Sequence, residues 1–250
     1  ERGITIKLKA VRMNYNPPSL KLRGAFGYQL NMIDTPGHVD FGYEVSRSLA
    51  ACEGAILVID ATQGIQAQTM ANVYKALEQN LKVITFINKV DLAAAEPSKV
   101  AKEVKDTFGF KEEDIFFGSA KTGEGVEDLL IGIATKIPAP VLKSSPEEGP
   151  LRALIFDSVY DEHLGALAFI RVFDGSFGVG DNLHFLSNNF RAPCIELGIF
   201  SPQRKKIERL ESGEVGYVAT GVKDLRKVRT GDTITKLSIF NSQFSIKDVQ

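Results

Sequence analysis

The 250-residue chain contains only two cysteines, Cys52 and Cys194, which lie far apart and match no metal-binding spacing. Two such cysteines are more typical of free buried thiols in a reducing compartment than of a disulfide framework. No apolar run approaches the roughly 18 residues of a membrane span. The opening residues ERGITIK do not have the pattern of a secretory signal. We therefore expect a soluble intracellular protein.

Charge of one sign is not in excess either. The chain has 30 Lys and Arg against 31 Asp and Glu, for a formal net charge of −1 at pH 7. Net charge therefore does not attract the chain to nucleic acid, although a local patch can still be basic. The length corresponds to one large domain or two ordinary ones.

The first half alternates short apolar runs with helical stretches. The predicted strands are YQLNMID (28–34), GAILVID (54–60), KVITFIN (82–88) and IFFGSA (115–120), and the predicted helices are 66–80, 98–110 and 126–137. This alternation is typical of an α/β fold with a mostly parallel sheet and helices on both faces. The near-continuous apolar run 54–60 predicts a strand that is covered on both sides.

The pattern changes at PAPVLKSSPEEGP (138–150), where four prolines with serines and acids indicate a linker. Six short strands separated by glycine turns follow, which predicts a small antiparallel β-barrel. The sequence thus predicts a first domain over residues 1–138, a linker over 139–149 and a barrel domain over 150–236. The tail, 237–250, has no clear pattern, and its structure stays open.

Three polar loops directly follow three of the predicted strands: DTPGH (34–38), NKVD (88–91) and SAKTG (119–123). Ligands of parallel sheets bind beyond the carboxyl ends of the strands, so we expect these loops to cluster. Each loop alone is weak evidence, because DTPG is good turn chemistry and the other two are common after strands. Together and in this order they point to a purine nucleoside triphosphate.

The first loop suits the phosphates of such a ligand. The Asp34 carboxylate, at the end of a strand, can hold Mg²⁺ through water. Gly37 lacks a Cβ, so its backbone N–H can come close to a phosphate.

The other two loops suit guanine. The Asp91 carboxylate can accept from both the N1–H and the exocyclic amine of guanine, a pattern that rejects adenine. Asn88 can bond the other ring edge and tie the loops together, and the methylenes of Lys89 can lie on the base. The Ala120 N–H can donate to the guanine O6.

These loops match the third, fourth and fifth guanine-nucleotide motifs of P-loop GTPases. ERGITI (1–6) is similar to the end of switch I in translational GTPases, and DTPGHVDF has the form found in translation factors. Over roughly residues 1–235 the chain resembles the elongation factor 4 (LepA) family. The resemblance rests on stretches such as RGITIKLKAVRMNY, GIQAQTMANVYKALE, INKVDLAAAEP and ESGEVGYVATGVKDLRKVRTGDTIT.

The resemblance implies a GTP-binding and GTP-hydrolysing region of a ribosome-associated elongation factor that acts on translocation state or fidelity, with GTP or GDP and Mg²⁺ as cofactors. It implies Thr5 and Asp34 as metal residues and His38 as the catalytic residue that positions the attacking water. The implied GTP-binding residues are Asp34, Thr35, Pro36, Gly37, His38, Asn88, Lys89, Val90, Asp91, Ser119, Ala120 and Lys121.

The implied partners are the rRNA and ribosomal proteins of the factor-binding site. We expect a cytoplasmic monomer, with a mitochondrion or plastid as the alternative location, and peripheral membrane association stays open. Two basic runs in the second half, 201–210 and 223–229, are candidates for rRNA phosphate contacts. Ordinary solvated loops are the alternative interpretation, because acids dilute both runs.

The phosphate-cradling motif G-x-x-x-x-G-K-[ST] occurs nowhere in these 250 residues. In the family it precedes switch I, and the strand that leads into it lies in the middle of the sheet. We therefore expect a fragment of a longer protein, without the P-loop and the C-terminal domains, with weak or absent GTP hydrolysis. The alternative is a non-catalytic ribosome- or RNA-binding fragment.

Overall fold

A computed structural model describes residues 9–17, 27–141 and 150–236 of the chain, without the side chain of Val39. Thr5 and the tail 237–250 therefore lie outside the described residues. The chain divides into two compact units. Of the described residues, the first unit contains 15–17, 27–28 and 36–139, and the second contains 9–14, 29–35, 140–141 and 150–236.

The first two strands form a sheet of their own. Strand β1 (Lys9–Tyr15) pairs with β2 (Tyr28–Asp34), and neither joins another sheet in the described part of the chain. The prediction that residues 28–34 belong to the parallel sheet is therefore wrong. The physical reason lies in the alternation of YQLNMID, where Gln29 and Asn31 interrupt the apolar positions. Such alternation suits a half-exposed pair, whereas strands of a parallel sheet are apolar throughout.

Three parallel strands form the centre of the first unit, in the order β3 (Gly54–Asp60), β4 (Lys82–Asn88), β5 (Ile115–Phe117). The central strand is the most buried, with Val83 to Ile87 all buried. The predicted covering of β3 on both faces is wrong, because β3 ends the described strand order and Val58 is 58% exposed.

Four helices flank this sheet: α1 (Gly42–Leu49), α2 (Ala67–Glu78), α3 (Pro97–Phe108) and α4 (Val126–Lys136). Helix α3 begins with a proline and ends at Gly109, whose φ of 71° gives the left-handed cap that glycine allows. The predicted helices 66–80, 98–110 and 126–137 are thus confirmed, with ends that differ by one or two residues. Helix α1 was not predicted from the sequence.

Helices cover both faces of the sheet, which confirms the predicted fold class. On one face, Val100 and Val104 of α3 pack with Ile87, and Ala76 of α2 packs with Val83. On the other face, α4 contacts β5 so closely that a Cβ on Gly132 would lie 2.2 Å from the Phe116 ring. No helix in the described ranges combines the length and hydropathy that crossing a membrane requires.

The second unit is antiparallel, as predicted, but residues 150–236 form ten strands instead of six. They are β6 (Arg152–Asp161), β7 (Gly165–Asp174), β8 (Ser176–Gly178), β9 (Asn182–Phe185), β10 (Phe190–Pro193), β11 (Glu196–Ser201), β12 (Gln203–Ile207), β13 (Arg209–Glu211), β14 (Val215–Ala219) and β15 (Thr233–Lys236). Eight of them form one sheet in the order β10-β9-β15-β6-β7-β14-β11-β12, and β8 pairs with β13.

One apolar core unites these strands. Residues near both ends of the strand order, such as Phe185 and Leu197, belong to the same buried cluster, together with Phe177 and Leu210 of the small β8–β13 pair. A sheet whose two ends share a core has to curl around it, as a small barrel does. Cys194 lies in this core and Cys52 is half-buried in the first unit, and the structure joins neither of them in a disulfide.

Candidate functional site

The carboxyl ends of β3, β4 and β5 lie side by side at one edge of the parallel sheet. The register pairs Asp60 with Asn88 and Ile87 with Phe117. The loops that leave the strands stay hydrogen-bonded to each other: the Ala61 N–H donates to the Asn88 carbonyl at 2.8 Å, and the Val90 N–H donates to the Gly118 carbonyl at 3.2 Å. This edge therefore brings together two of the three predicted loops, NKVD and SAKTG.

The side chain of Asn88 fixes the two loops. Its Oδ1 accepts from the backbone N–H of Lys89 at 2.8 Å and from the backbone N–H of Ala120 at 2.9 Å. Because the Ala120 N–H already donates to Asn88, a purine O6 has to share or replace that bond. Within the described ranges the amide nitrogen of Asn88 makes no hydrogen bond.

Lys89 has an unusual backbone and a fixed side chain. Its φ of 67° lies in the left-handed region that residues other than glycine rarely adopt. Its Nζ donates to Asp60 Oδ2 at 2.6 Å, while Asp60 Oδ1 accepts from the Thr62 N–H at 2.8 Å and the Thr62 hydroxyl at 2.7 Å. Partial burial raises the pKa of Asp60, but the bonds from Lys89 and Thr62 outweigh it and hold this pKa below its ordinary value.

Asp91 is exposed, and in the described part of the chain no donor or cation contacts its carboxylate. A carboxylate that is close to the Asn88 loop and has both oxygens free can accept a pair of hydrogen bonds from a ligand. Val90 between them is half-buried.

The SAKTG loop is an ordered turn that leads into α4. Ser119 is 1% exposed, its N–H donates to the Glu124 carbonyl at 2.9 Å, and its carbonyl accepts from the Gly123 N–H at 2.8 Å. Lys121 is exposed and makes no hydrogen bond or ion pair within the described ranges. Ser119 is thus the buried residue that holds the turn together, and Ala120 and Lys121 are exposed to solvent.

The DTPGH turn lies across the division between the two units. Asp34, exposed at the end of β2, and Thr35 belong to the second unit, whereas Pro36, Gly37 and His38 belong to the first. Gly37 has open space around it, because an added Cβ would meet no atom within 4 Å. Its carbonyl accepts from the Asn72 amide of α2 at 3.5 Å.

His38 contacts its own turn. Its Nδ1 lies 3.2 Å from Asp40 Oδ2 and 3.3 Å from the Asp40 backbone nitrogen, so one nitrogen faces both an acceptor and a donor and can serve only one of them at a time. The His38 side chain is 44% exposed.

The described residues offer no complete set of protein ligands for a magnesium ion, so they fit this ion only together with a bound nucleotide. They contain no group of three or more His, Cys, Asp or Glu side chains that could hold a metal. Mg²⁺ with a nucleotide usually takes one or two protein oxygens and completes its shell with phosphate and water. Asp34 can supply one such oxygen, and Thr5 lies outside the described residues.

Asp60 and Thr62 were not among the predicted site residues. A signal for them is present in the sequence, because DATQG (60–64) is a polar turn directly after an apolar strand, like the three predicted loops. Asp60 became relevant only through its contact with Lys89, which the register between β3 and β4 creates.

Comparison with known families agrees with this geometry. Residues 1–139 match the model of the elongation factor Tu GTP binding domain, and residues 150–237 match elongation factor G domain 2. The chain therefore belongs to the elongation factor Tu GTP binding domain family, and the class is that of the translational GTPases.

Within this class the chain is similar to elongation factor 4 along nearly its whole length, which confirms the resemblance seen in the sequence. It is 50% identical to elongation factor 4 of Fusobacterium nucleatum over 95% of this chain and 38% of the relative. It is 52% identical to that of Thermobifida fusca over 94% of this chain and 37% of the relative. The chain thus spans well under half the length of these curated relatives.

A solved structure shares the fold. The translation elongation factor SelB of Methanococcus maripaludis, in complex with the GTP analogue GPPNHP, superimposes with a TM-score of 0.71 over 94% of this chain and 50% of SelB. At 21% identity this likeness supports the fold alone.

Proposed function

We propose that the chain is the GTP-binding and GTP-hydrolysing region of a ribosome-associated elongation factor of the elongation factor 4 kind, acting on translocation state or translation fidelity. One observation carries the proposal: Asn88 Oδ1 joins the NKVD and SAKTG loops through the Ala120 N–H, while the neighbouring Asp91 carboxylate stays free. These two loops form the base pocket. Asp91 accepts from the N1–H and the amine of guanine, and Lys89 lies against the ring.

The phosphate end of the ligand belongs to the DTPGH turn. Gly37 offers its N–H to the γ-phosphate, which the open space around its Cα permits. Asp34, with Thr5, would hold Mg²⁺, and the ion would supply charge neutralisation at the phosphates. His38 positions the attacking water with its exposed ring face, because phosphoryl transfer needs positioning more than covalent chemistry.

The ribosome is the proposed partner, and the two basic runs differ in what they can offer to it. In the first run, Arg204 donates to Asp161 and Glu196, and Lys206 pairs with Glu196 at 2.5 Å. Arg209 also donates internally, to the Ser176 hydroxyl. Arg204 and Lys206 are therefore paired with acids within the unit, whereas Lys205 and Arg209 make no ion pair in the described ranges.

The second run offers more free charge. Lys223 is exposed and makes no ion pair in the described ranges, and Lys227 lies on the Phe190 ring with its Nζ 5.1 Å from the centroid. Arg191, on the strand that carries Phe190, is also exposed. We assign the rRNA phosphate contact to this surface, which also predicts strong salt dependence. A cytoplasmic location accompanies the proposal, since the relatives are bacterial proteins. The monomeric state is proposed with it as a further expectation.

The test compares guanine with xanthine as the base of the bound nucleotide. Asp91→Asn turns one carboxylate acceptor into a donor, which no longer matches the guanine amine but matches the C2 carbonyl of xanthine. We expect wild type to prefer GDP over xanthosine diphosphate and Asp91→Asn to reverse the order, measured by equilibrium binding with Mg²⁺. Glu124→Gln removes the same charge from the neighbouring loop and should leave the order unchanged. An unchanged preference in Asp91→Asn contradicts the proposal.

The second candidate is a non-catalytic ribosome- or RNA-binding fragment, and the lack of a G-x-x-x-x-G-K-[ST] match in these 250 residues favours it. The two candidates differ in one measurement. Salt-sensitive binding to small ribosomal subunits that is equal with and without GDP supports the second candidate. Binding that changes with GDP, and is lost for GDP in Asp91→Asn, supports the first.

A further inference from the structure

We propose that Asp60 is a positioning residue of the base pocket, which holds the Lys89 side chain across the carboxyl edge of the sheet so that its stem is ready to lie against a purine. The inference rests on the proposed guanine-nucleotide function, because a purine is the ligand that this stem would contact. Asp60 itself lies outside the NKVD and SAKTG loops, one strand away.

The register of the sheet brings Asp60 to Lys89. Asp60 and Asn88 are paired positions at the ends of β3 and β4, so the residue after Asn88 can reach back over the strand end. The Nζ of Lys89 lies 2.6 Å from Asp60 Oδ2, a short charge-assisted contact. The Asp60 side chain is 18% exposed, and this partial burial strengthens its attraction for a cation compared with a fully solvated pair.

Asp60 is itself immobilised. Its second oxygen, Oδ1, accepts from both the N–H and the hydroxyl of Thr62. The carboxylate cannot rotate without breaking three contacts, which makes it a fixed anchor instead of a mobile surface acid.

Lys89 is therefore held at two points. Asn88 Oδ1 fixes its backbone in the left-handed conformation, and Asp60 fixes its tip. The side chain between these points is 50% exposed, so the stem is accessible to a ligand while its course is already defined. Backbone conformations that are rare for the residue type often mark ligand-binding positions, which agrees with this assignment.

The consequence is preorganisation. A long lysine side chain loses rotamer freedom when a ligand packs on it, and a side chain that is already ordered loses less. We expect Asp60→Asn to weaken GDP binding by about three- to tenfold. The preference for guanine should not change, because Asp91 sets it.

The experiment is lysine acetylation of the whole chain, with the rate at each lysine read by mass spectrometry. We expect Asp60→Asn to raise the acetylation rate of Lys89 severalfold. Glu96→Gln is the matched control, because it removes the partner of Lys99, whose Nζ lies 2.8 Å from Glu96. It should raise the rate at Lys99 and leave Lys89 unchanged.

A titration with GDP and Mg²⁺ completes the test. GDP should slow acetylation of Lys89 in wild type, and Asp60→Asn should need about three to ten times more GDP for half protection. An unchanged Lys89 rate in Asp60→Asn without GDP overturns the anchoring role, and equal half-protection concentrations overturn the role in binding. Lack of protection in wild type counts against the guanine-nucleotide function itself.

A second variant serves if Asp60→Asn does not fold. Thr62→Val removes one hydrogen-bond donor to the Asp60 carboxylate and should produce a smaller rise in the acetylation rate of Lys89. No rise in this variant contradicts the proposal.

Discussion

The backbone N–H of Ala120 donates to Asn88 Oδ1 across 2.9 Å, although 32 positions separate the two residues in the chain. The same oxygen accepts from the N–H of Lys89. A single amide oxygen thus sets the spacing of two loops that both belong to the proposed base pocket. Asn88 therefore determines the shape of the proposed pocket as well as part of its hydrogen bonding.

Asn88→Ala should lower both stability and nucleotide affinity. It removes the acceptor of two backbone N–H groups, and we expect the free energy of unfolding to fall by about 1–2 kcal/mol. Asn88→Asp keeps an acceptor for both groups and should lose clearly less stability, although it loses the amide donor for the purine. Urea unfolding of the three proteins checks this. Equal destabilisation by Ala and Asp would show that the two loops do not depend on this oxygen.

Asp114 should make the stability of the first unit pH-dependent. Its side chain is 7% exposed, and its oxygens lie 2.5 Å from Lys82 Nζ and 3.1 Å from Lys136 Nζ. Burial raises the pKa of Asp114, but the two lysine bonds outweigh it and hold the pKa below its ordinary value. The stabilisation is therefore complete above the unfolded-state pKa of about 3.9. It disappears as the pH falls through the lower pKa of the folded state.

Asp114→Asn should therefore cost about 2 kcal/mol of unfolding free energy at pH 7, since charge-assisted bonds of a buried group are lost. The difference from wild type should shrink below about pH 4. Denaturant unfolding at pH 7 and at pH 3 measures both values. Asp106→Asn, at an exposed aspartate of α3, is the control and should change neither. A deficit that stays constant with pH would contradict the assignment.

Two glycines of the SAKTG region should respond differently to alanine. Gly123 and Gly125 both have positive φ, 86° and 70°, so both variants carry backbone strain. Only at Gly125 would the new Cβ collide, at 1.9 Å from the Phe117 carbonyl oxygen, whereas a Cβ on Gly123 would meet no atom within 4 Å. We expect about 1 kcal/mol of destabilisation for Gly123→Ala. The collision should make Gly125→Ala clearly worse, by about 3 kcal/mol or more, and thermal unfolding would refute this if both variants melted together.

The first basic run should contribute to stability instead of nucleic-acid binding. Arg204 donates to Asp161, Glu196 and Tyr217 at 2.9, 2.8 and 3.0 Å, while its neighbour Lys205 is exposed without such partners in the described ranges. Arg204→Ala should lower the unfolding free energy by about 2 kcal/mol, because the buried Glu196 carboxylate loses its bond from Arg204 and keeps only those from Lys206 and Tyr217. Lys205→Ala should stay within about 0.5 kcal/mol of wild type. Comparable losses in the two variants would argue against the internal network.

Local sequence patterns were sufficient for most elements. The apolar runs of β3 and β4 and the helical spacing of α2, α3 and α4 predicted these elements to within a few residues, because periodicity reports directly on burial. Helix α1 was missed, since GYEVSRSL is short and mixes polar and apolar residues at its start. Ten strands replaced the predicted six because short strands such as β8 and β13 have only three residues and little pattern.

The pairing of strands was harder to predict. Residues 28–34 were recognised as a strand, but their partner is β1, which the sequence analysis did not identify. Which strands pair depends on contacts that are remote in sequence, and a local pattern specifies only that a strand exists and which sides it exposes. The same limit applies to Arg204, whose partners come from three other segments of the chain.

The sequence by itself determined the chemistry of the site: two loops with Asn88, Asp91 and Ala120 after apolar strands, and the family to which such loops belong. Only the tertiary structure decided which polar groups are free and which are already engaged. The Asp91 carboxylate has no partner in the described ranges, the Ala120 N–H donates to Asn88, and Lys89 forms an ion pair with Asp60. The reason is physical: a residue type sets what a side chain can bond, but the register of neighbouring strands sets which partner lies within about 3 Å.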